Sequence, residues 1–153
     1  MDRRTEILDA AGRLFSQLGY HVTSMRDLGK AVNLQGGSLY AHIASKEDLL
    51  WAIVNRAADR FEAGAAAIPA DLPPDERLAR LVRSHLAVIV SEIGNATVFF
   101  HEWRSLSPAR RAQIQRRRDA YEAHFARDRE RRGGRSVPRG EPAPGDPVRA
   151  CRR

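Results

Sequence analysis

Apolar positions along the first fifty residues fall into short helical registers separated by turn signals. Ile7, Leu8, Ala11, Leu14, Phe15 and Leu18 recur at helical spacing and predict a first helix over residues 4–18 with one core face. Gly19 ends it as a C′ glycine. Met25, Leu28 and Val32, at i, i+3 and i+7, predict a short second helix, N-capped by the hydroxyl of Thr23 or Ser24. Asn33 suits a left-handed turn and Leu34 plugs it. Gln35-Gly36-Gly37-Ser38 open a third short helix whose inward residues are Leu39 and Ile43, leaving Gln35, Ser38, Tyr40 and His42 outward. Ser45-Lys46-Glu47-Asp48 resembles a capping box with Asp48 in place of Glu or Gln. It starts a longer helix marked by Leu49, Leu50, Ile53, Val54, Ala57 and Phe61, which fades at Gly64.

Residues 65–74 read as a connection. A fifth helix begins near Asp75-Glu76, acidic residues suited to a first turn. It carries a wide apolar stripe: Leu78, Leu81, Val82, His85, Leu86, Ile89, Val90 and Ile93. Gly94-Asn95 interrupts it, and Val98, Phe99 and Trp103 mark another short helix. Ser107-Pro108 is a cap followed by proline at the first helical position. The helix it opens has Ile114, Tyr121 and Phe125 as apolar marks. Residues 126–153 contain no Leu, Ile, Phe, Met, Trp or Tyr, but nine Arg, four Gly and four Pro. Such a segment buries too little apolar surface to offset its ordering entropy, so disorder is expected there. The fold class is all-α in three parts: residues 1–45 a helix-turn-helix head, 46–125 a helical body, 126–153 a basic tail.

Composition narrows the function. The 153 residues hold no apolar run of transmembrane length and no secretory leader, so a cytoplasmic protein without membrane contact is expected. A single cysteine, Cys151, excludes an internal disulfide framework and a cysteine-based zinc site. The five histidines lack metal-ligand spacing, and no Ser/His/Asp set or phosphate-cradling glycine loop is visible. The expectation is a non-enzyme with no metal and no cofactor. The net charge of +7 is concentrated at the end: residues 1–50 are balanced, 51–125 carry +2 and 126–153 carry +5. The high isoelectric point is therefore no argument for nucleic-acid binding by the head, which rests on its motif.

A two-helix unit with a short turn is the geometry that places its second helix in a DNA major groove. Gly19–Leu28 (GYHVTSMRDL) and Gly37–Leu50 (GSLYAHIASKEDLL) resemble the DNA-binding region of TetR-family transcriptional regulators over roughly residues 4–50. The family usually has Ala at Gly29, Ala-Gly-Val at Val32-Asn33-Leu34, and Phe at Ile43. Gly29 lets the two helices approach but weakens its own helix by about 1 kcal/mol relative to Ala. The motif class puts Gln35, Gly36, Gly37 and Ser38 at base edges, Gln35 suiting adenine. The resemblance implies phosphate contacts from Thr23, Tyr40, His42 and Lys46. It also implies a homodimer on a palindromic double-stranded operator and repression relieved by a small effector, with residues 46–125 as the effector-binding and dimerisation body. Competing readings are a general nucleic-acid-binding protein driven by the tail and a helical interaction module.

Phe99–Phe125 is the second informative block. His101, Glu102, Trp103, Arg104 and Leu106, followed by an Arg-rich helix, resemble the TetR subgroup that responds to acyl-coenzyme A thioesters. That likeness implies an effector pocket from His85, Ile89, Phe99, Trp103, Arg104, Arg117 and Tyr121, with arginines meeting phosphates bidentately. The plainer alternative is a core tryptophan beside a solvated basic face. TetR-like chains normally continue for two more long helices that build the dimer. After Phe125 this chain reads instead as a truncated or frame-shifted end, or else a natural basic tail. A dimer is then expected to be weak or atypical and to use the region around Phe99, Trp103 and Tyr121.

Overall fold

Seven α-helices follow one another in the computed structural model, which describes residues 2–34 and 36–133. They are α1 (Arg3–Leu18), α2 (Met25–Ala31), α3 (Gly36–Tyr40), α4 (Lys46–Ala66), α5 (Pro74–Ser91), α6 (Ile93–His101) and α7 (Pro108–Gly133). A 3₁₀ turn, Trp103–Ser105, joins the last two. No strand occurs among the described residues, so the all-α expectation holds. None of the described helices is long and apolar enough to cross a membrane.

The head is built by local chemistry. Gly19 ends α1 at φ +89°, a conformation open to glycine, and its N–H bonds Phe15 O at 3.0 Å. Ser24, not Thr23, caps α2, and with Asp27 it forms a full reciprocal capping box. Asn33 sits at φ +52°, as the turn requires. A Cβ on Gly29 would lie 2.8 Å from Leu34 O, so the turn excludes the methyl that would otherwise strengthen α2. At α4 only half the expected box forms. Ser45 Oγ accepts from Asp48 N at 3.1 Å and donates to Asp48 Oδ2 at 2.7 Å. The other Asp48 oxygen is taken by Arg110 of α7.

One core runs through the molecule. Ile7 and Phe15 of α1, Leu28, Leu39 and Ile43 of the head, and Leu49, Leu50, Ile53, Val54 and Phe61 of α4 share a cluster with Val98, Phe99, Trp103 and Ile114. The long α4 is the common element: it packs on α1 at one end and on α5, α6 and α7 along its length. Two expectations change here. Phe99 and Trp103 are buried and Tyr121 is half-buried, so they are not free to form a dimer surface. The apolar text ends at Phe125, but α7 runs on to Gly133 because Asp128 is buried and paired with Arg77 of α5 at 2.7 Å. The remainder of the tail expectation, 134–153, lies outside the described residues.

Candidate DNA interface and interior cavity

On the head, Gly37, Ser38, Tyr40 and His42 all face solvent, with Tyr40 56% exposed. Leu39 and Ile43 anchor α3 from beneath, both buried. A Cβ at Gly37 would meet nothing within 4 Å, so this helix offers an open backbone edge. The backbone of Gly36 begins α3, whereas Gln35 lies outside the described residues.

Two of the residues assigned to phosphate by the resemblance have partners inside the head. Thr23 is fully buried, and its hydroxyl donates to Gly19 O at 2.9 Å, so its side chain is sealed inside the head. Lys46 reaches inward: its Nζ donates to Tyr20 O at 2.9 Å, Thr23 O at 3.0 Å and His21 O at 3.5 Å. It also lies 4.5 Å from the centre of the Tyr20 ring. With these contacts to the loop between α1 and α2, the ammonium acts as a strut between that loop and the first turn of α4.

In the body, α4, α5, α6 and α7 line a half-open cavity of about 300 Å³. Its walls are aromatic: Phe61 sits 5.0 Å from His85, 5.4 Å from Phe99, 5.8 Å from Phe100 and 5.6 Å from Tyr121, centre to centre. Phe125 closes one side, 5.5 Å from Tyr121. The polar groups are few. His85 Nδ1 and the Tyr121 hydroxyl are 3.1 Å apart, their protonation roles set by the tautomer. Burial lowers the His85 pKa, favouring neutral imidazole, and pushes the Tyr121 phenol up to about 12.

The two adjacent arginines at the wall differ. Arg117 is saturated: Glu62 takes Nε at 2.7 Å and Nη2 at 2.8 Å, Asn55 takes Nη1 at 2.8 Å, and Asp59 completes the set. Its hydrogen bonds to Glu62, then Asp59, raise its pKa further. Arg118 makes no ion pair among the described residues. Its guanidinium lies 5.0 Å from Phe99, 5.3 Å from Trp103 and 5.6 Å from Phe100, with a long contact to Phe99 O at 3.4 Å. Burial lowers its pKa, against the opposing influence of the Glu122 carboxylate.

Of the predicted pocket residues, His85, Phe99, Tyr121 and Arg117 line the cavity. Ile89 packs against the core instead, Trp103 is buried behind the wall, and Arg104 is exposed and stacked on Trp103 at 4.9 Å. Sequence reasoning missed Phe61, which reads as an ordinary core residue, and Arg118, hidden in an arginine triplet whose members differ only by helical phase. The N-terminal end of α7 is fixed to the first turn of α4. Glu47 accepts from Ser107 N at 3.0 Å, and Arg110 pairs with Asp48. These contacts hold both carboxyls below the ordinary range: Ser107 dominates at Glu47, and Ser45 followed by Arg110 at Asp48.

Comparison with known proteins agrees with this architecture. The family described as "Bacterial regulatory proteins, tetR family" matches residues 7–53, and "Tetracyclin repressor-like, C-terminal domain" matches residues 71–130. The TetR-family regulator PfmR of Thermus thermophilus is 30% identical with a TM-score of 0.77, over 89% of this chain and 75% of that one. AibR, solved in complex with isovaleryl coenzyme A and operator DNA, is 29% identical with a TM-score of 0.79, over 90% of this chain and 76% of its own. The regulator HbdR of Aromatoleum sp. (strain CIB) is 27% identical over 117 residues, 74% of this chain and 50% of that protein. The chain thus spans about half the length of that curated relative, and less of others. The two matches follow one another along the chain, and the chain belongs to the TetR family of transcriptional regulators, which are not enzymes.

Proposed function

We propose that this protein is a sequence-specific DNA-binding repressor that acts as a homodimer on a palindromic operator and is released by a small effector, an acyl-CoA thioester. The observation that carries the effector reading is Arg118. A half-buried arginine in no ion pair among the described residues, at the edge of an aromatic cavity, suits a ligand with an apolar body and an anionic end. AibR, whose structure contains isovaleryl coenzyme A, supports that class. A cavity of about 300 Å³ favours a short or single-ring acyl group. On the DNA side, Ser38 and the backbone of Gly36-Gly37 meet base edges and Tyr40 and His42 meet phosphates, with Gln35 assigned to the same surface by sequence.

Coupling has a physical route. Arg117, Arg118 and Tyr121 stand on α7, and the start of α7 grips Glu47 and Asp48 in the first turn of α4, next to α3. An effector that binds better when α7 is displaced shifts the head away from its DNA-competent spacing; equal affinity for both states shifts nothing.

The test is a gel shift on the gene's upstream region, titrated with isovaleryl-CoA and benzoyl-CoA. Release of DNA is expected. Arg118→Gln should raise the thioester concentration needed by about tenfold or more, the loss of one charge-assisted contact, without a large change in melting temperature. Arg117→Gln should lower the melting temperature instead, because it strands Glu62 and Asp59. No release and no thermal shift with either thioester would leave a repressor with a plain aromatic core.

A further inference from the structure

The uncharged polar groups that line the cavity are His85 and Tyr121, and their mutual contact does not use them up. Nδ1 of His85 and the Tyr121 hydroxyl lie 3.1 Å apart, and this is the one hydrogen bond that either side chain makes among the described residues. A neutral imidazole has one donor and one acceptor nitrogen, and a phenol both donates and accepts. When Tyr121 donates to Nδ1, its oxygen keeps a free lone pair. When Nδ1–H donates to Tyr121, the phenol O–H is free. In either tautomer the Tyr121 oxygen has a hydrogen bond to spare. Burial keeps both groups uncharged. The surrounding rings hold the pair in place: His85 is stacked on Tyr121 with planes 23° apart, 5.0 Å from Phe61 and 6.1 Å from Phe100. Phe100 is also 5.6 Å from the Arg118 guanidinium, so a cation and a hydrogen-bonding pair border the same ring.

We propose that the Tyr121 hydroxyl is a specificity-determining contact, and that the acyl group it selects carries a hydroxyl of its own. A ligand hydroxyl suits the pair in both tautomers: it donates to the phenol oxygen in one and accepts from the phenol O–H in the other. A carbonyl oxygen, including that of the thioester, only accepts, so it meets the phenol in one tautomer alone. A wholly hydrocarbon acyl group meets it in neither and leaves the spare valence dry. His85 is the positioning residue, because its contact sets the direction of the phenol O–H. The ligand class is therefore a hydroxylated acyl thioester, with its anionic part toward Arg118, its apolar body against the rings and its hydroxyl at Tyr121. The inference rests on the effector reading above and names the acyl group that the site prefers.

Isothermal titration calorimetry on the 153-residue chain tests it with matched ligands. Isovaleryl-CoA is compared with 3-hydroxyisovaleryl-CoA, and benzoyl-CoA with its 2-, 3- and 4-hydroxy derivatives. At least one hydroxylated thioester should bind about tenfold more tightly than its parent. The factor is modest because His85 and Tyr121 still bond each other when the parent is bound. Tyr121→Phe should bring that ratio close to one while changing the parent's dissociation constant by about threefold at most. His85→Phe should keep the preference, because the phenol then has the ligand hydroxyl as its partner. Equal binding of parents and derivatives by the unaltered protein overturns the hydroxyl inference alone and leaves the effector reading standing. No binding of any thioester overturns both. A preference that survives Tyr121→Phe overturns the assignment to Tyr121, and one that His85→Phe alone removes moves the contact to the imidazole. Melting temperatures lowered in both variants with the ratio unmoved mark a purely structural pair and overturn the specificity role.

Discussion

The head and the outer face of α5 use the same residue types to opposite ends. In the head, Ile7, Phe15, Leu28, Leu39 and Ile43 are all buried, and polar side chains fix the loops that bring them together. Ser24 locks Asp27, Thr23 bonds Gly19 O, and Lys46 gathers three carbonyls. On α5, an equally apolar stripe is divided between a covered side and a bare one. A stripe as wide as one neighbour specifies a closed unit. A stripe wider than one neighbour specifies a helix with two, and the second is not supplied by the described residues. The head is closed by its own residues, whereas one side of α5 stays bare among the described residues.

The largest test sets two leucines against each other. Leu39, fully buried beneath α3, should cost about 2–5 kcal/mol as Leu39→Ala, from lost burial and the cavity left behind. Leu86→Ala, removing a half-exposed side chain, should stay within about 0.5 kcal/mol for the isolated monomer. Chemical denaturation at a concentration where the protein is monomeric measures both. Equal losses would abolish the distinction between a self-contained head and an open α5.

A smaller effect sharpens how the head is closed. Lys46→Met keeps the aliphatic stem and removes the strut, leaving the carbonyls of Tyr20 and Thr23 without that donor. The loop is partly solvated, so the expected cost is about 1–2 kcal/mol. Operator binding should weaken with the salt dependence of its logarithm unchanged. A slope lowered by about one unit would return Lys46 to the phosphate-contacting role that the family resemblance implies.

These contrasts also explain what could be read from the residues alone. The helices of the head were legible because their signals are local: a periodic apolar face, a hydroxyl before it, Gly19 and Asn33 at the positive-φ positions. The destination of a side chain was less legible. Nothing in the motif distinguishes a lysine that reaches phosphate from one that reaches three carbonyls, 23–26 residues back in the chain. Ser24 and Thr23 are equal candidates for a cap until the backbone direction at Gly19 buries one of them. Phe61 becomes a cavity wall because α5 and α7 bring His85 and Tyr121 to it, a long-range event. Arg117 and Arg118 differ by about 100° of helix rotation, which decides whether a guanidinium meets α4 carboxylates or the rings of Phe99 and Trp103. The continuation of α7 past Phe125 depends on Arg77, 51 residues earlier, pairing with Asp128.

The smallest expected effect separates the two regions by pH. His85 sits inside the body, stacked on Tyr121 with centres 5.9 Å apart and edge-on to Phe125 at 6.0 Å. The charged groups at the same cavity are Glu62, Glu122, Arg117 and Arg118. Of the two glutamates, Glu62 is already bound by Arg117, and the dominant influence on the imidazole is burial, which lowers its pKa. The folded protein therefore holds His85 neutral at a pH where the unfolded chain, titrating near about 6.5, accepts a proton. Because the unfolded state binds more protons there, stability rises with pH; its contribution is complete above about 6.5 and is lost as pH falls toward the folded pKa. His124 on α7 is lowered too, by burial and then by Arg127 and Arg77, so it adds to the same acid limb. His85→Phe should keep the aromatic contacts, remove one of the two contributions and flatten the loss of stability between neutral and mildly acidic pH. Thermal melts of the ligand-free protein at matched ionic strength measure this. If the His85→Phe variant loses stability as steeply as the parent over that range, the imidazole is not held neutral by the cavity, and the polar end of the proposed effector site would have to be reassigned to Tyr121 alone.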